Sequence, residues 1–505
     1  MYVDWRASAA LVGTVLTALT ATLAVPVAVG VLYGEPLAPF LATGAVALTA
    51  GLALRRLDDD PDLGTREGFL VVAATWLAVG LVGTLPYLIA GQGSVAMPAN
   101  ALFESMSGFT TTGATVMRDI SFETHTRSLL LWRQLTQWLG GMGIVVLAVA
   151  ILPELSVGGA QLMDAEAPGP GIQKLTPRIA ETARALWVAY LGITVLEMVL
   201  LYGLYHAGVA PNMTAYQAVA HGLTTMSTGG FSPMARSIEA FSAAVQWLII
   251  PFMVAAGTNF ALFWHALDGD LGAFRRDEEF RFYGGVLGVL AAVVAATLFT
   301  GTGLTAAAST VGGHVEPALR HGVFQAVSIV TTTGYASTDF QLWSEPAKFL
   351  LFAAIFVGGS AGSTGGAVKM VRWLVVLKAI RRELYTSVHP DAVRPIRLAG
   401  RTLDESALRG IYVFTSLYAA LFVLGTVLVV LDAARVDYGV TGFTAMSAVA
   451  ATLGNVGPGF GAVGPMENYA GFPATTKVFL TGLMWVGRLE VFPVLVLLTQ
   501  AFWRR

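Results

Sequence analysis

The stretch SMSGFTTTGATVM, Ser105 to Met117, decides how this chain is read. It stands between two hydrophobic segments, yet it is too rich in Gly, Ser and Thr to be a membrane span itself. Its surroundings, ALFESMSGFTTTGAT (101–115), have three counterparts: YQAVAHGLTTMSTGGFS (216–232), FQAVSIVTTTGYAS (324–337) and FTAMSAVAATLGNVGPG (443–459). Each is a short apolar segment, then a Thr/Ser-Gly cluster, then a loop. Aligning Gly113, Gly229, Gly334 and Gly454 gives spacings of 116, 105 and 120 residues. A period of that length with two spans in each copy means four copies of one unit.

Composition places the units in a membrane. Of 505 residues, 55% are hydrophobic and 12% charged, against about 25% charged in an average soluble protein. The mean hydropathy is +0.67. A net charge of −2 offers nothing to nucleic acid, and the absence of cysteine excludes disulfides, thiolate metal sites and cysteine nucleophiles. The histidines show no metal-ligand spacing.

A spanning helix needs about 20 mostly apolar residues. Ten segments qualify: 9–33, 37–54, 67–91, 127–152, 182–207, 241–267, 282–301, 347–380, 407–432 and 473–502. The first apolar run exceeds the ~7–15 residues of a signal-peptide core, and another follows closely, so both are read as retained spans. Lys and Arg concentrate on one side: Arg55, Arg56 and Arg66; Lys174, Arg178 and Arg184; Arg275, Arg276 and Arg281; the 381–409 loop; and Arg504 and Arg505. The positive-inside rule makes that side, with both termini, cytoplasmic. The 381–409 loop reads equally as a docking surface for a cytosolic partner or as a plain topogenic loop.

The expected fold class is an all-α polytopic membrane protein: four pseudo-symmetric units of helix, re-entrant pore loop and helix around one central pore, plus two extra N-terminal helices. The expected divisions are 1–60 for the extra helices and 61–160, 161–272, 273–400 and 401–505 for the units. Segments of 10–14 apolar residues are read as re-entrant, and irregular backbone at membrane depth survives only when buried or lining a cavity. Ion filters are rings of backbone carbonyls that replace the water around a cation. Glycine permits the dihedrals that aim successive carbonyls inward. The expected filter residues are Thr111, Thr112 and Gly113; Ser227, Thr228 and Gly229; Thr332, Thr333 and Gly334; and Thr452, Leu453 and Gly454. The fourth cluster is the least regular, and Gly457 offers a second register. No acidic residue sits in the clusters, which favours carbonyl coordination of a monovalent cation.

The helix after each loop is expected to break at small residues: LGGMGIV (139–145), VAAGTNF (254–260), FVGGSAGSTGGAVKM (356–370) and MWVGRLEVF (484–492). In the third, Gly358, Gly359, Ser360, Ala361, Gly362, Ser363, Thr364, Gly365 and Gly366 are all poor or small helix residues. Each glycine costs about 1 kcal/mol in a helix against Ala. The segment is expected to unwind below the filter as a gate; close helix packing through small residues is the alternative. Lys369 follows Val368 rather than Gly, so the segment is no Walker loop. Arg488 lies mid-span, where a charge faces a cavity or a partner. It reads as a pore-facing barrier to cations that bonds the Gly/Ser segment, or as half of an ion pair with Glu490. Lys369 and Arg372 are expected to snorkel. Glu104 is expected to begin a re-entrant helix, with Arg133, Gln134 and Trp138 packed between spans or at an interface.

FESMSGFTTTGATV, TTMSTGGFSP, SIVTTTGYAS, AATLGNVGPG, GGSAGSTGGA and GRLEVF resemble the TrkH-like membrane subunit of Trk-type potassium uptake systems, within the Trk/Ktr/HKT superfamily. The resemblance covers nearly the whole chain. It implies a potassium-conducting homodimer with one pore per chain and K⁺ at the filter residues, including Gly113, Gly229, Gly334 and Gly454. It also implies an intramembrane gating loop at Gly358–Gly366, a pore-facing Arg488, no bound cofactor, and a cytosolic TrkA-like nucleotide-binding subunit controlling the gate. Asn is common in that family where this chain has Gly454. Serine at the first-repeat glycine goes with sodium transport in the superfamily, so Gly113 argues for potassium. A sodium or mixed Na⁺/K⁺ pathway is the close rival. A polytopic membrane enzyme is a distant one, since no HExxH, paired-Asp motif or assembled acid–base set is present.

Overall fold

The computed structural model describes residues 3–58, 64–150, 179–301 and 311–504. Lys174, Arg178 and Arg505, used above for orientation, lie outside the described residues. Among the described residues, six helices are each long and apolar enough to cross a bilayer: Trp5–Tyr33, Ala38–Arg55, Arg66–Ala90, Ala183–His206, Glu278–Thr300 and Glu405–Arg435. Two further spans are bent pairs, Ala243–Ala256 with Phe260–Leu267 (96°) and Ala474–Arg488 with Phe492–Leu498 (115°). Among the described residues, the other two expected spans do not meet the same length and apolarity as one continuous helix. Helix Arg127–Ala150 carries Arg133, Gln134 and Gln137, and the 347–380 segment is helical only to Ala354 and again from Met370.

The chain buries an apolar core, but it also turns apolar faces outward. Val188, Leu191, Leu196 and Val199 on one helix, and Val423, Leu424, Leu428 and Leu431 on another, are exposed. Apolar faces of that extent are stable only against another apolar medium. Beside its apolar core the interior holds buried Ser105, Ser107, Gln134, Gln137, Gln325 and Ser328. The two N-terminal helices cross closely: a Cβ on Gly13 would sit 2.6 Å from the Gly51 carbonyl oxygen. Small residues at such crossings let membrane helices approach.

Four short helices stop partway into the structure: Pro98–Phe109, Ala215–Met226, Val315–Val330 and Gly442–Leu453. We call them pore helices 1 to 4. Pore helices 2 and 3 each pack on the second helix of the preceding unit, and pore helix 1 packs on Ala474–Arg488 of the fourth. The fourth unit thereby meets the first and the array closes.

The expectation that every second helix breaks is corrected in the first unit, where Arg127–Ala150 is continuous. Gly140 and Gly141 serve close approach there: a Cβ on Gly140 would fall 1.8 Å from the Phe109 carbonyl oxygen, and one on Gly141 2.7 Å from Ser227 Cβ. In the fourth unit the break falls at Glu490 and Val491, both with positive φ (56° and 66°), beyond Gly487 and without glycine.

Candidate functional site

Each pore helix runs directly into an extended segment, and the backbone of these segments defines their register. Positive φ recurs at Thr111, Thr228, Thr332 and Asn455, and again two residues on at Gly113, Gly230, Gly334 and Gly457. The residue between them always donates its N–H back to the pore helix: Thr112 to Ser107 O, Gly229 to Thr224 O, Thr333 to Ser328 O and Val456 to Ala451 O, each at 2.9 Å. The equivalent segments are therefore 110–113, 227–230, 331–334 and 454–457.

This corrects two of the expected alignments. Gly229 is the residue before the left-handed glycine, which is Gly230. Thr452 and Leu453 finish pore helix 4, and Gly454 caps it in the right-handed region (φ −81°, ψ −6°), where the other units have Thr110, Ser227 and Thr331. The left-handed glycine of unit 4 is Gly457. Matching glycine letters fails because unit 2 carries two adjacent glycines and unit 4 carries one at the helix cap. Thr111, Thr112, Gly113, Ser227, Thr228, Thr332, Thr333 and Gly334 lie in the segments as expected from the sequence. Gly230, Asn455 and Val456 were missed. Volume was the available signal, since Asn-Val-Gly fills the same space as Thr-Thr-Gly.

The four segments close on one another. A Cβ on Gly113 would meet Gly229 O at 2.2 Å, on Gly230 Thr333 O at 2.0 Å, on Gly334 Val456 O at 2.0 Å, and on Gly457 Thr112 O at 2.5 Å. Each glycine thus abuts the carbonyl of the next segment, and the fourth returns to the first. Only glycine fits, through both φ and space. The preceding Thr residues are β-branched at φ 52°, 51° and 60°, a conformation costing on the order of 1–3 kcal/mol each and concentrated at functional sites. The C-terminal, partly negative ends of four pore helices point at this ring.

A shell of side chains holds it. Gln137 donates to Gly229 O (2.6 Å) and accepts from Phe231 N (3.0 Å). Asn455 donates to Thr112 Oγ1 and Met484 O, both at 2.9 Å. Glu104 is mid-helix and buried rather than at the start of pore helix 1. It accepts from Val116 N (2.8 Å) and Thr115 Oγ1 (2.9 Å) and pairs with Arg133 Nε at 2.6 Å. Arg133 also donates to Ser232 O (3.0 Å) and lies 3.4 Å from the Phe231 ring centroid. The pair ties the loops of units 1 and 2 together. Breaking a buried pair from one side costs about 3–5 kcal/mol. Arg133→Met should therefore lower the unfolding midpoint sharply in scanning fluorimetry, with Glu104→Gln added to it restoring part of the loss.

Beneath the ring, residues 355–369 form an irregular loop. Val357 pairs with Val368 in an isolated bridge, and Gly362 and Ala367 adopt positive φ. The loop touches several units. Ser360 N donates to Gly257 O (2.9 Å), Thr364 Oγ1 to Met226 O (3.1 Å) and Ala256 O (3.0 Å), and Gly366 N to Thr332 Oγ1 (2.7 Å). A Cβ on Gly366 would lie 2.5 Å from Gly454 O. On the far side, Glu279 Oε1 accepts from Ala361 N (2.8 Å) and Val371 N (3.0 Å). The segment is thus a folded loop under the ends of pore helices 2, 3 and 4, not a tight helix crossing.

Arg488 is 2% exposed. It donates to Thr364 O at 2.8 Å and Gly140 O at 3.4 Å, so it joins the loop to units 1 and 4. The ion-pair alternative with Glu490 is not seen: Glu490 pairs with Arg372 at 2.5 Å. Lys369 and Arg372 do not snorkel. Both are buried; Lys369 Nζ donates to Gly365 O (2.5 Å) and Arg372 also stacks over Phe414. The loop's free carbonyls and Glu490 draw them inward.

Residues 39–505 match the TrkH family, described as "Cation transport protein". The "Trk system potassium uptake protein TrkH" of Salmonella typhimurium is 38% identical over 508 residues, covering 99% of each chain. The protein of that name from Halomonas elongata is 39% identical over 501 residues, covering 98% of each. The crystal structure of the potassium transporter TrkH from Vibrio parahaemolyticus superposes with a TM-score of 0.86 at 34% identity, covering 99% of this chain and 100% of that one.

Proposed function

The chain belongs to the TrkH family of cation transport proteins, and from that premise we propose that it carries potassium into the cell through the ring of Thr112, Gly229, Thr333 and Val456 carbonyls. It is a multi-pass membrane protein of a family of transporters rather than enzymes. One observation carries the filter reading: four left-handed glycines, each seated against the next segment's carbonyl, closing a ring. Carbonyls held that rigidly can replace a hydration shell.

Units bounded near 61–160, 161–272, 273–400 and 401–505 supply one segment each. The loop Gly358–Gly366 with Arg488 acts as the gate. Two copies assemble, both termini face the cytosol, and a cytosolic nucleotide-binding subunit acts from the Arg-rich side; the relatives' naming as a Trk system supports a multi-component assembly. The Arg-rich 381–409 segment is the candidate docking face. There a short hairpin, Arg397–Leu398 with Arg401–Thr402, packs Leu398 on the helix Met370–Val388.

The test is ⁸⁶Rb⁺ flux into proteoliposomes with Na⁺ as competitor, together with reversal potentials. Equal shifts for Na⁺ and K⁺ gradients would replace potassium selectivity with the mixed-cation reading. Within that assay, Gln137→Leu should reduce K⁺ over Na⁺ discrimination roughly five- to tenfold, the worth of one buried hydrogen bond. An unchanged ratio would remove Gln137 from the filter's supporting shell.

A further inference from the structure

Beside the ring's mouth lies a second, separate cavity of about 370 Å³, lined by Met97, Asn100, Arg118, Asp119, His125 and Lys477 among others. Three buried polar atoms without a hydrogen-bond partner line it, on His125 and Asn100, beside the exposed Arg118 and Asp119. His125 is 2% exposed; neither ring nitrogen meets full hydrogen-bond geometry, although the Asp119 backbone lies close enough to act on the ring. Asn100 is 3% exposed; its Nδ2 donates to Ser94 O (2.8 Å), but its Oδ1 is unpartnered. Lys477 is 5% exposed and donates to Ala470 O at 3.3 Å, leaving two N–H groups over. Asp119 Oδ2 accepts from the hydroxyls of Ser121 and Thr124, and its carboxylate lines the same cavity. The Arg118 guanidinium adds a second cation, and Asn100 stands in the first turn of pore helix 1, whose N-terminal end is partly positive.

We propose that this cavity binds a phosphate-class oxyanion. Arg118 and Lys477 supply positively charged donors, which phosphate oxygens accept strongly, and His125 adds a neutral N–H. Asn100 Oδ1 and the Asp119 carboxylate supply acceptors, matching hydroxyls on the ligand, and the two cations outweigh the single carboxylate. Burial holds His125 below its ordinary pKa, so near neutrality it offers one N–H. Free phosphate carries a P–OH for Asn100; a phosphatidylglycerol headgroup carries glycerol hydroxyls instead.

Occupancy has a consequence for transport. Arg118 also lines the mouth above Gly113, Gly230, Gly334 and Gly457. A bound anion offsets positive charge where cations enter, which should raise flux roughly two- to threefold at low salt and less at high salt. This consequence rests on the potassium-filter reading; the binding itself does not.

The binding test uses the full-length protein in detergent. Its unfolding midpoint is followed against inorganic phosphate, with chloride at equal ionic strength as control. Phosphate should raise the midpoint as a site specific to the folded state requires. Lys477→Met should weaken apparent affinity at least tenfold, while Lys477→Arg retains the response, which a merely structural lysine would not predict. In parallel, ⁸⁶Rb⁺ flux is compared in phosphatidylcholine vesicles with and without phosphatidylglycerol. A response to phosphate assigns the free ion as the source; a response confined to phosphatidylglycerol that Lys477→Met abolishes assigns the lipid. Identical wild-type and Lys477→Met behaviour in both arms overturns the proposal. Phosphate binding without a flux change retains the site and removes only its link to transport.

Discussion

Gly457→Ser should abolish most selective ⁸⁶Rb⁺ flux, whereas Gly454→Ala should leave flux within a few-fold of wild type. Gly457 has φ +98°, and a Cβ there would stand 2.5 Å from Thr112 O and 2.9 Å from the Gly113 carbonyl carbon. Neither obstacle is a flexible side chain, so the ring itself has to shift. Left-handed strain alone costs an L-residue about 1–2 kcal/mol, and displaced carbonyls discriminate poorly between ions whose dehydration they must match. We expect at least a tenfold loss of K⁺ over Na⁺ preference. Gly113→Ser should act in the same way, since its Cβ would meet Gly229 O at 2.2 Å. Gly454 is right-handed at the helix cap. Its Cβ would find Ala450 O at 2.9 Å, then Ile355 O and the Tyr418 hydroxyl at 3.3 Å, so the helix cap has to give slightly, but these contacts lie outside the ring and the backbone needs no left-handed conformation. If Gly454→Ala loses selectivity while Gly457→Ser keeps it, the register assigned to unit 4 is wrong.

Arg488→Ala should raise basal flux in the absence of any cytosolic subunit. The guanidinium holds the loop by its bond to Thr364 O and ties it to the first unit through Gly140 O. A hydrogen bond from a charged donor contributes about 1.5–3 kcal/mol. Losing it shifts a closed–open equilibrium by roughly ten- to a hundredfold, provided the open state lacks the bond. Removing the charge also lowers a barrier to cations below the ring. Deleting Gly359–Gly365 should give at least as large an increase, because it also removes Thr364 from beneath pore helix 2. Proteoliposome flux at the wild-type basal level in both variants would falsify the gating role. Correct insertion is checked by gel filtration of each variant, so that a misfolded protein is not scored as a closed one.

Glu104 and Arg133 show where reading along the chain stops. A carboxylate near the start of a short helix reads as a dipole partner, and an arginine at the head of a span reads as interfacial. Their 2.6 Å pair joins residues from two elements whose meeting is a property of the assembled ring. Lys369 and Arg372 are similar. Positions near a span's end suggest snorkelling; the non-helical loop leaves a carbonyl at Gly365, and a partner waits at Glu490. Gln137 carried no signal of its own, because its partner Gly229 lies in another unit.

The sequence by itself determined the membrane class, the fourfold recurrence, the short apolar pore helices and the unwinding at Gly358–Gly366. Each is a local property: apolar length, composition or helix propensity summed over neighbours. Tertiary structure alone decided which glycine of each cluster faces the next carbonyl, whether a glycine-rich helix breaks or packs closely, and where the buried charges find partners. Those outcomes depend on dihedral angles and on contacts with other elements, and for the ring glycines those elements lie more than a hundred residues away. Gly454 and Gly457 are the same letter three positions apart, and only closure against Thr112 tells them apart.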